Sequence, residues 1–402
     1  METNIMDPEP QVSFDNIENA FAGKSSTDLN RAYMLFKAIN SNMLVAMMEP
    51  LTRISLALHL PINSLVKTTI FKQFVGGETI DDCRETVSRL HERGIGSILD
   101  YSVEGKESEE NFDATAAEIM KTIDKATNNP NIPFCVFKTT GIARLDVLEK
   151  ISSRSMLDVT DSVQWDHTVK RVEMICAKAA KNNVRIFIDA EESWLQNAID
   201  ELADSMMEKY NKQNIIVFNT IQLYRSDRLA YLKSSYERAK TKGYMFGVKL
   251  VRGAYMEKER ARAIERNYPS PIQPDRASSD RDYNAALEFC IDHVEEIAVC
   301  AGTHNEKSSM YLVQLLDEKH IQKNHNHVWF SQLLGMSDHI SYNLAKAGYN
   351  VCKYVPYGPV REVMPYLFRR AKENTSVKGQ TGRELSLIMK EKERRRGNFK
   401  LN

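Results

Sequence analysis

Short apolar runs alternate with segments of helical period from residue 76 to about residue 375. The apolar runs are short enough to be buried strands of a parallel sheet. They predict eight strands, at residues 95–101, 133–138, 184–192, 215–222, 246–255, 297–305, 328–334 and 351–355. The amphipathic segments predict helices at residues 79–93, 109–126, 168–181, 194–210, 229–240, 283–296, 308–319 and 340–347. Eight consecutive strand–helix units predict an α/β protein with a (β/α)8 barrel of the TIM type, whose functional residues gather where the strands end.

The two ends of the chain follow a different pattern. Residues 1–75 show helical periodicity only, as in Leu29, Tyr33, Phe36 and Ile39, and predict a helical arm that packs on the barrel. Residues 376–402 are polar and end in an arginine-rich run, which predicts a short polar C-terminal helix or tail with a solvated basic end. The expected organisation is therefore an arm at 1–75, a barrel at 76–375 and a tail at 376–402.

Composition and charge limit the cellular compartments and the binding partners that are expected for this chain. The chain has 402 residues with 54 basic and 54 acidic side chains, so charge gives no reason to expect nucleic-acid binding. Its six cysteines are scattered without a Cys-x-x-Cys spacing, which is typical of reduced core residues. The N-terminal sequence resembles neither a signal peptide nor a transit peptide. Segment 43–60 contains Glu49, Pro50 and Arg53 and is too charged to span a bilayer. A cytoplasmic protein is expected.

Polar side chains follow nearly every predicted strand, where they would be costly to bury without partners or a ligand. They are Lys138, Asp189, Glu191, Glu192, Gln222, Lys249, Arg252, Tyr255, Thr303, His304, Asn305, Gln332 and Tyr354. With Arg369 and Arg370 the basic groups outnumber the acidic ones, so we expect an anionic ligand or a phosphate-bearing cofactor. No metal site is expected, because His304 has no second histidine at ligand spacing, and His325 and His327 precede a strand. The sequence has no Rossmann or P-loop glycine signature.

The stretch after the last strand carries a candidate anion site. Gly358 ends the extended run, and Pro359 suits the first turn of a helix. The apolar face of that helix comprises Val360, Val363, Met364, Leu367 and Ala371, and the adjoining face comprises Tyr366, Arg369, Arg370 and Glu373. Two guanidiniums one turn from a carboxylate are suited to a small carboxylate ligand, although the pattern also fits a solvated face with exposed ion pairs. Pro365, which should kink the helix, favours the ligand site.

Four motifs occur in register with these elements. They are Ile-Asp-Ala-Glu at 188–191, Lys-Leu-Val-Arg-Gly-Ala-Tyr at 249–255, Gly-Thr-His-Asn at 302–305, and Tyr354 followed by Arg369, Arg370 and Glu373. Together they resemble the proline dehydrogenase family over roughly residues 76–375. The resemblance implies a monofunctional flavoenzyme that oxidises L-proline to Δ1-pyrroline-5-carboxylate by hydride transfer to N5 of FAD. It also implies that the electrons pass to a quinone, as the first step of proline catabolism.

The resemblance assigns a set of residues to the substrate. Arg369 and Arg370 would bind the substrate carboxylate, and Lys138 would add positive charge from the second strand. Glu373 would hold one of the arginines in place. For the helix after the last strand, the family resemblance therefore favours a site for a carboxylate ligand over a solvated face with exposed ion pairs.

The resemblance also assigns the rest of the pocket. Tyr354 would close over the pyrrolidine ring and disfavour a ring hydroxyl, and Asp189 would order neighbouring groups. The contacts to non-covalently bound FAD would fall on Gln222, Lys249, Arg252, Tyr255, Thr303, His304 and Asn305. A cation beside the flavin favours its reduced anionic form. Some family members have Arg and then Lys where this chain has Lys249 and Arg252, so either residue could meet the flavin ring or the pyrophosphate.

Access to a membrane quinone would be peripheral, through an amphipathic helix at 44–60 or through the basic tail. Two other classes of protein stay open from the residues alone. An aldolase or isomerase acting on a sugar phosphate would use Lys138 or Lys249 as an electrophilic or Schiff-base lysine and the basic cluster for phosphate. A non-catalytic anion-binding barrel is the third class. The visible absorption bands of a bound flavin would distinguish a proline dehydrogenase from these other two classes.

Overall fold

The computed structural model describes residues 12–40, 66–103, 107–376 and 380–398, with side chains for all of these except 371–376, 380, 381 and 398. Eight parallel strands form a closed barrel in chain order, and the last strand pairs with the first. The strands are β1 (Ile95–Tyr101), β2 (Phe134–Lys138), β3 (Arg185–Asp189), β4 (Val217–Gln222), β5 (Phe246–Val251), β6 (Ile297–Gly302), β7 (Val328–Leu333) and β8 (Val351–Tyr357). The predicted (β/α)8 barrel is confirmed. Every strand lies within its predicted span except β8, which continues to Tyr357.

Helices connect the strands and extend beyond the barrel at both ends of the chain. They are α1 (Ile17–Phe21), α2 (Ser26–Ile39), α3 (Lys72–Phe74), α4 (Arg84–His91), α5 (Glu109–Ala126), α6 (Leu145–Ser152), α7 (Val159–Lys181), α8 (Ser193–Tyr210), α9 (Arg228–Lys242), α10 (Met256–Glu265), α11 (Arg276–Asp292), α12 (Glu306–Glu318), α13 (Asp338–Lys346), α14 (Val360–Ser376) and α15 (Gln380–Asn398). The bounds of α5 coincide with the prediction, whereas α6 and α10 were not predicted.

The errors in the helix prediction have physical causes. Helix α10 buries only Glu259 and Ala263, so it lacks the apolar period by which helices are recognised. Helix α7 begins at Val159 rather than at 168, because the Oδ1 atom of Asp158 accepts the N–H of Asp161 at 2.8 Å and caps the helix. The first turns of α7 expose Val159 and Val163, so no buried face marks them in the sequence.

A second hydrophobic core lies apart from the barrel wall and joins both ends of the chain. It includes Phe21, Leu29 and Phe36 of the arm, Phe74, Met336 after β7, Leu367 of α14, and Leu387 and Ile388 of α15. We call this set the cap core. Phe36 and Phe74 meet edge to face, with ring centroids 6.1 Å apart. The apolar face predicted for α14 is confirmed for Val360, Val363, Met364 and Leu367, which are buried here. The side chain of Ala371 lies outside the described ones.

The C-terminal segment is more firmly attached than its polar sequence suggests. Glu391 is buried on α15 and pairs with Arg394 at 2.8 Å and with Arg395 at 2.7 Å. Arg395 also donates to the backbone carbonyls of Phe21 and Lys24 at 2.9 and 2.8 Å. The expectation of a solvated basic end is therefore wrong for these two arginines.

Two further features concern the cysteines and the hydropathy of the helices. All six cysteines are buried and unbridged, which confirms their interpretation as core residues, and burial raises the pKa of Cys135 to about 12. None of the described helices has the length and hydropathy needed to cross a bilayer. Residues 44–60, one of the two regions expected to contact a membrane, lie outside the described part of the chain.

Candidate active site

The alternation of side chains along the strands directs polar groups into the mouth of the barrel. Residues two apart on a strand share a face. Phe134 and Phe187 pack in the interior with ring centroids 4.5 Å apart. Lys138 and Asp189 follow them at even spacing and are register partners at the ends of β2 and β3. Both therefore face the interior at the carboxyl end, where barrel enzymes place their sites.

The centre of the site is an ion pair between Lys249 and Asp189, to which the hydroxyl of Tyr354 is hydrogen-bonded. Nζ of Lys249 contacts the carboxylate of Asp189 and donates to the hydroxyl of Tyr354, and that hydroxyl lies 3.4 Å from Oδ1 of Asp189. Lys249 and Tyr354 are only 4% and 7% exposed. Burial and the charge of Asp189 raise the pKa of Tyr354, so the phenol stays protonated. All three side chains stand on strands, and the barrel therefore fixes their mutual geometry.

Asp100 belongs to the same cluster, although the sequence analysis did not single it out. It is buried and accepts a hydrogen bond from the hydroxyl of Ser102 at 2.9 Å. Burial raises the pKa of Asp100, while the charge of Lys138 lowers it. Asp100 lies two residues after the inward-facing Ile98 of β1. That even spacing is the signal that could have identified it.

A second buried carboxylate, Glu191, ties together the loops after β2, β3 and β4. The backbone N–H of Thr140 donates to it at 2.9 Å, and the Thr140 hydroxyl donates as well. Burial raises the pKa of Glu191 to about 7. Nε2 of Gln222 donates to the carbonyl of Glu191 at 3.0 Å, and Oε1 of Gln222 is buried with no hydrogen-bond partner among the described residues. The neighbouring Glu192 instead pairs with Lys258 at 2.8 Å.

Arg252 anchors the loops after β5 and β6. Its guanidinium pairs with Asp280 at 2.6 Å and donates to the hydroxyls of Thr303 and Ser308 at 2.9 and 3.0 Å. Asn305 caps α12 by accepting two backbone N–H groups of its first turn, at 2.9 and 3.3 Å. A guanidinium thus stands next to the amino end of a helix, and both favour an anionic group.

His304 and Gln332 complete the side of the site formed by β6 and β7. Nδ1 of His304 lies 2.9 Å from the hydroxyl of Ser337. Burial and the charges of Lys353 and Arg370 lower the pKa of His304 to about 3, so its ring is neutral at ordinary pH. Gln332 is buried and donates to the backbone carbonyl that precedes His304 at 3.0 Å.

Helix α14 carries the predicted arginine pair. Arg369 and Arg370 are half-buried, so they do not form a fully solvated face. The Cζ atom of Arg370 lies 5.3 Å from the ring centroid of Tyr366, and its charge reaches His304. The side chain of Glu373 lies outside the described ones, and its expected role stays a prediction.

Eight of the predicted residues therefore form two groups. Lys138, Asp189, Lys249 and Tyr354 stand on barrel strands, whereas Arg252, Thr303, His304 and Asn305 lie in the loops directly after β5 and β6. Tyr255 immediately precedes α10, and Nζ of Lys258 lies 5.6 Å from the centroid of its half-buried ring. Fold and site together have the architecture of a (β/α)8 barrel enzyme with a buried cluster of charged side chains at the strand ends.

Comparison with known proteins narrows that class. The family model for proline dehydrogenase matches residues 83–383. The carbapenem antibiotics biosynthesis protein CarD of Pectobacterium carotovorum subsp. carotovorum is 34% identical over 333 residues, which are 83% of this chain and 85% of CarD. The mitochondrial proline dehydrogenase 1 of Dictyostelium discoideum is 31% identical, covering 93% of this chain and 74% of that one. The hydroxyproline dehydrogenase of Xenopus laevis is 30% identical, covering 93% and 88%.

A solved structure agrees on the fold. Proline utilization A from Bdellovibrio bacteriovorus, inactivated by N-propargylglycine, superposes with a TM-score of 0.71 at 20% identity. The match covers 92% of this chain and 40% of that longer chain. With the family model spanning most of the barrel, the chain belongs to the proline dehydrogenase family, a family of oxidoreductases.

Proposed function

We propose that this chain is an FAD-dependent proline dehydrogenase that oxidises L-proline to Δ1-pyrroline-5-carboxylate. The observation that carries the proposal is the buried cluster of Lys249, Asp189 and Tyr354 at the mouth of the barrel, within the span of the family match. A Schiff-base aldolase would need a lysine presented as a free amine. Lys249 is instead held in an ion pair with Asp189, which disfavours Lys249 in that role.

The polar groups of the site fit a flavin dinucleotide. Oε1 of Gln222 is a buried acceptor with no partner among the described residues, and an imide N–H would satisfy it. Arg252 stands beside the capped amino end of α12, where donors suit phosphate oxygens. Lys249 lies inside the barrel, with Nζ 5.1 Å from the ring centroid of Phe187. We therefore assign Arg252 to the pyrophosphate and Lys249 to the flavin ring.

When bound, FAD supplies the two-electron acceptor for the oxidation, and we propose a quinone as the final acceptor. The protein supplies orientation and charge complementarity. Arg369 and Arg370 bind the proline carboxylate through their planar forks, and Lys138 adds positive charge. Asp189 keeps the ammonium of Lys249 in place, since separating this buried pair would leave both charges uncompensated.

Tyr354 forms one wall of the substrate pocket in this proposal. Its ring stacks near Phe187 with centroids 6.3 Å apart. Because its hydroxyl is bound to Lys249, the ring cannot turn aside without breaking a buried contact. We therefore propose that Tyr354 shields the pyrrolidine ring from water and favours proline over hydroxyproline. Hydroxyproline is the second candidate substrate, because a relative at 30% identity is a hydroxyproline dehydrogenase.

The cofactor proposal is tested by the colour of the purified protein. We expect two visible flavin bands, and acid precipitation should release the colour into the supernatant because the flavin is not covalently bound. Arg252→Met should weaken the affinity of the apoprotein for FAD, whereas Arg266→Met, a change at an exposed surface arginine, should not. A colourless protein that takes up no FAD would refute the proposed function. Colour that remains in the pellet would refute non-covalent binding.

We also propose peripheral membrane contact for delivery of electrons to the quinone. The basic end of α15 and the segment at 44–60 are the candidate contact regions. Alkaline carbonate should extract the protein from membranes. Resistance to that extraction would contradict the peripheral mode.

A further inference from the structure

Ser337 occupies an unusual position between two distant parts of the chain. It lies directly before α13, is 1% exposed, and adopts the left-handed conformation with φ of 50°. A non-glycine residue persists in that conformation only where its surroundings hold it. Here its carbonyl accepts the N–H groups of Ile340 and Ser341 at 3.0 and 3.1 Å. Its side chain and its own N–H point to different partners.

These two partners are a residue of the candidate flavin site and a residue of the C-terminal helix. The Ser337 hydroxyl lies 2.9 Å from Nδ1 of His304. The Ser337 N–H donates to Oε1 of Glu384, which is buried on α15. One residue therefore links the loop after β6 to a helix that lies outside the barrel.

The loop that presents Ser337 is also clamped from the amino-terminal side. Gly335 has φ of 75°, and a Cβ atom there would lie 2.1 Å from the carbonyl oxygen of Gln73. Nε2 of Gln73 donates to the carbonyl of Gly335 at 2.8 Å. Met336 is buried in the cap core. Glu384 therefore acts on a loop that has little freedom to adjust when a contact is lost.

We propose that Glu384 is a positioning residue for the cofactor site, which with Ser337 fixes the ring of His304, so that α15 completes a site the barrel alone leaves unfinished. The inference rests on the proposed function, because the resemblance to the proline dehydrogenase family places His304 among the contacts to FAD. Nδ1 of His304 lies within hydrogen-bond distance of the Ser337 hydroxyl and can accept its proton. If the hydroxyl donates to Nδ1, the ring proton stays on Nε2, which is then a donor for the cofactor.

The electrostatics of the region agree with this role. The ring of His304 is neutral, since its pKa is lowered to about 3, so its Nδ1 can accept the proton of the Ser337 hydroxyl while the ring proton is on Nε2. Burial raises the pKa of Glu384. A neutral amide at this position should thus be well tolerated, because it keeps the oxygen that accepts the Ser337 N–H.

The test compares two buried glutamates of the same helix. Glu384→Ala removes the acceptor of the Ser337 N–H, whereas Glu391→Ala removes the contacts to Arg394 and Arg395 and leaves Ser337 untouched. Apoprotein of each variant is titrated with FAD by quenching of flavin fluorescence, and the melting temperature is recorded. We expect Glu384→Ala and Ser337→Ala to raise the Kd for FAD about tenfold or more, because each change leaves a buried hydrogen-bonding group without its partner. Glu384→Gln should restore the affinity.

Glu391→Ala should lower the melting temperature and leave the Kd for FAD within about twofold of the wild type. Equal losses of FAD affinity in Glu384→Ala and Glu391→Ala would mean that Glu384 has only a structural role. An unchanged Kd in Glu384→Ala would also overturn the proposal. If the wild-type apoprotein does not bind FAD at all, the proposed function fails instead, so the two failures are distinguishable.

Discussion

Lys249, Asp189 and Tyr354 stand on barrel strands, whereas Arg369 and Arg370 stand on α14, whose apolar face belongs to the cap core. In the barrel wall, the period of two along a strand and the pairing between strands fix which side chains face the site. In the cap core, α14 packs against helices from both ends of the chain. Those helices also contact each other, since Arg395 donates to the carbonyl of Phe21. The regular period and pairing of the strands thus build one half of the candidate site, and the packing of helices from both ends of the chain builds the other.

The largest effect on kcat/KM is expected for the two arginines of α14 that are proposed to bind the substrate carboxylate. Arg369→Met and Arg370→Met should each lower kcat/KM for L-proline by about 30-fold or more, because losing a charge-assisted pair costs on the order of 2–5 kcal/mol. Lysine should be a poor substitute, since a point charge cannot reproduce a bidentate contact. Steady-state kinetics measure the effect, with FAD content and melting temperature as controls. Variants that fold normally, retain FAD and turn over at nearly the wild-type rate would remove the arginines from the substrate site.

Replacing one buried leucine in each region tests whether only the cap core supports substrate binding. Leu29 is buried in the cap core, and Leu232 of α9 is buried in the main core between the helices and the barrel. Either leucine replaced by alanine should destabilise the protein by roughly 2–5 kcal/mol, through lost burial and a cavity. Only Leu29→Ala should also raise KM for proline, because it loosens the support of α14. Urea denaturation and steady-state kinetics give both numbers. If KM rises equally in the two variants, the cap core has no special link to the substrate.

Glu191 gives the barrel mouth a dependence on pH. Burial raises its pKa from 4.5 to about 7, so the folded state favours the protonated form. The stability that it contributes is fully present below its unfolded pKa of 4.5 and is lost as pH rises through about 7. Glu191→Gln should therefore flatten the decline between pH 5 and 8 by about 1–3 kcal/mol. Denaturation curves across that range test this, with Glu192→Gln as the control. Identical pH profiles for wild type and Glu191→Gln would contradict it.

The smallest effect is expected at the tyrosine of the barrel half. Tyr354→Phe removes the hydroxyl that Lys249 and Asp189 bind, and should cost about 1 kcal/mol in kcat/KM while FAD content stays unchanged. Tyr354→Ser should also narrow the ratio of kcat/KM between proline and hydroxyproline. Tyr357→Phe on the same strand is the control, since its hydroxyl binds Glu118 at 3.2 Å. A constant ratio would place the selectivity elsewhere.

The difference between the two regions also explains what sequence could predict. The strands and most inward-facing residues follow from a local period, and Asp100, two residues after Ile98 on β1, follows from the same period. Helix α10 carries no such signal, since its buried residues include a glutamate. The link from Glu384 through Ser337 to His304 has no such signature, because its contacts follow from no strand or helix period and each residue is an ordinary polar side chain.

Anaerobic titration of the purified protein with L-proline tests most directly whether this barrel oxidises proline through a bound flavin. We expect the visible flavin bands to bleach as proline is added, with one Δ1-pyrroline-5-carboxylate formed for each flavin reduced. Arg370→Met should show the same starting spectrum but require far more proline to reach half bleaching. A wild-type flavin spectrum that stays unchanged at saturating L-proline would contradict the proposed function.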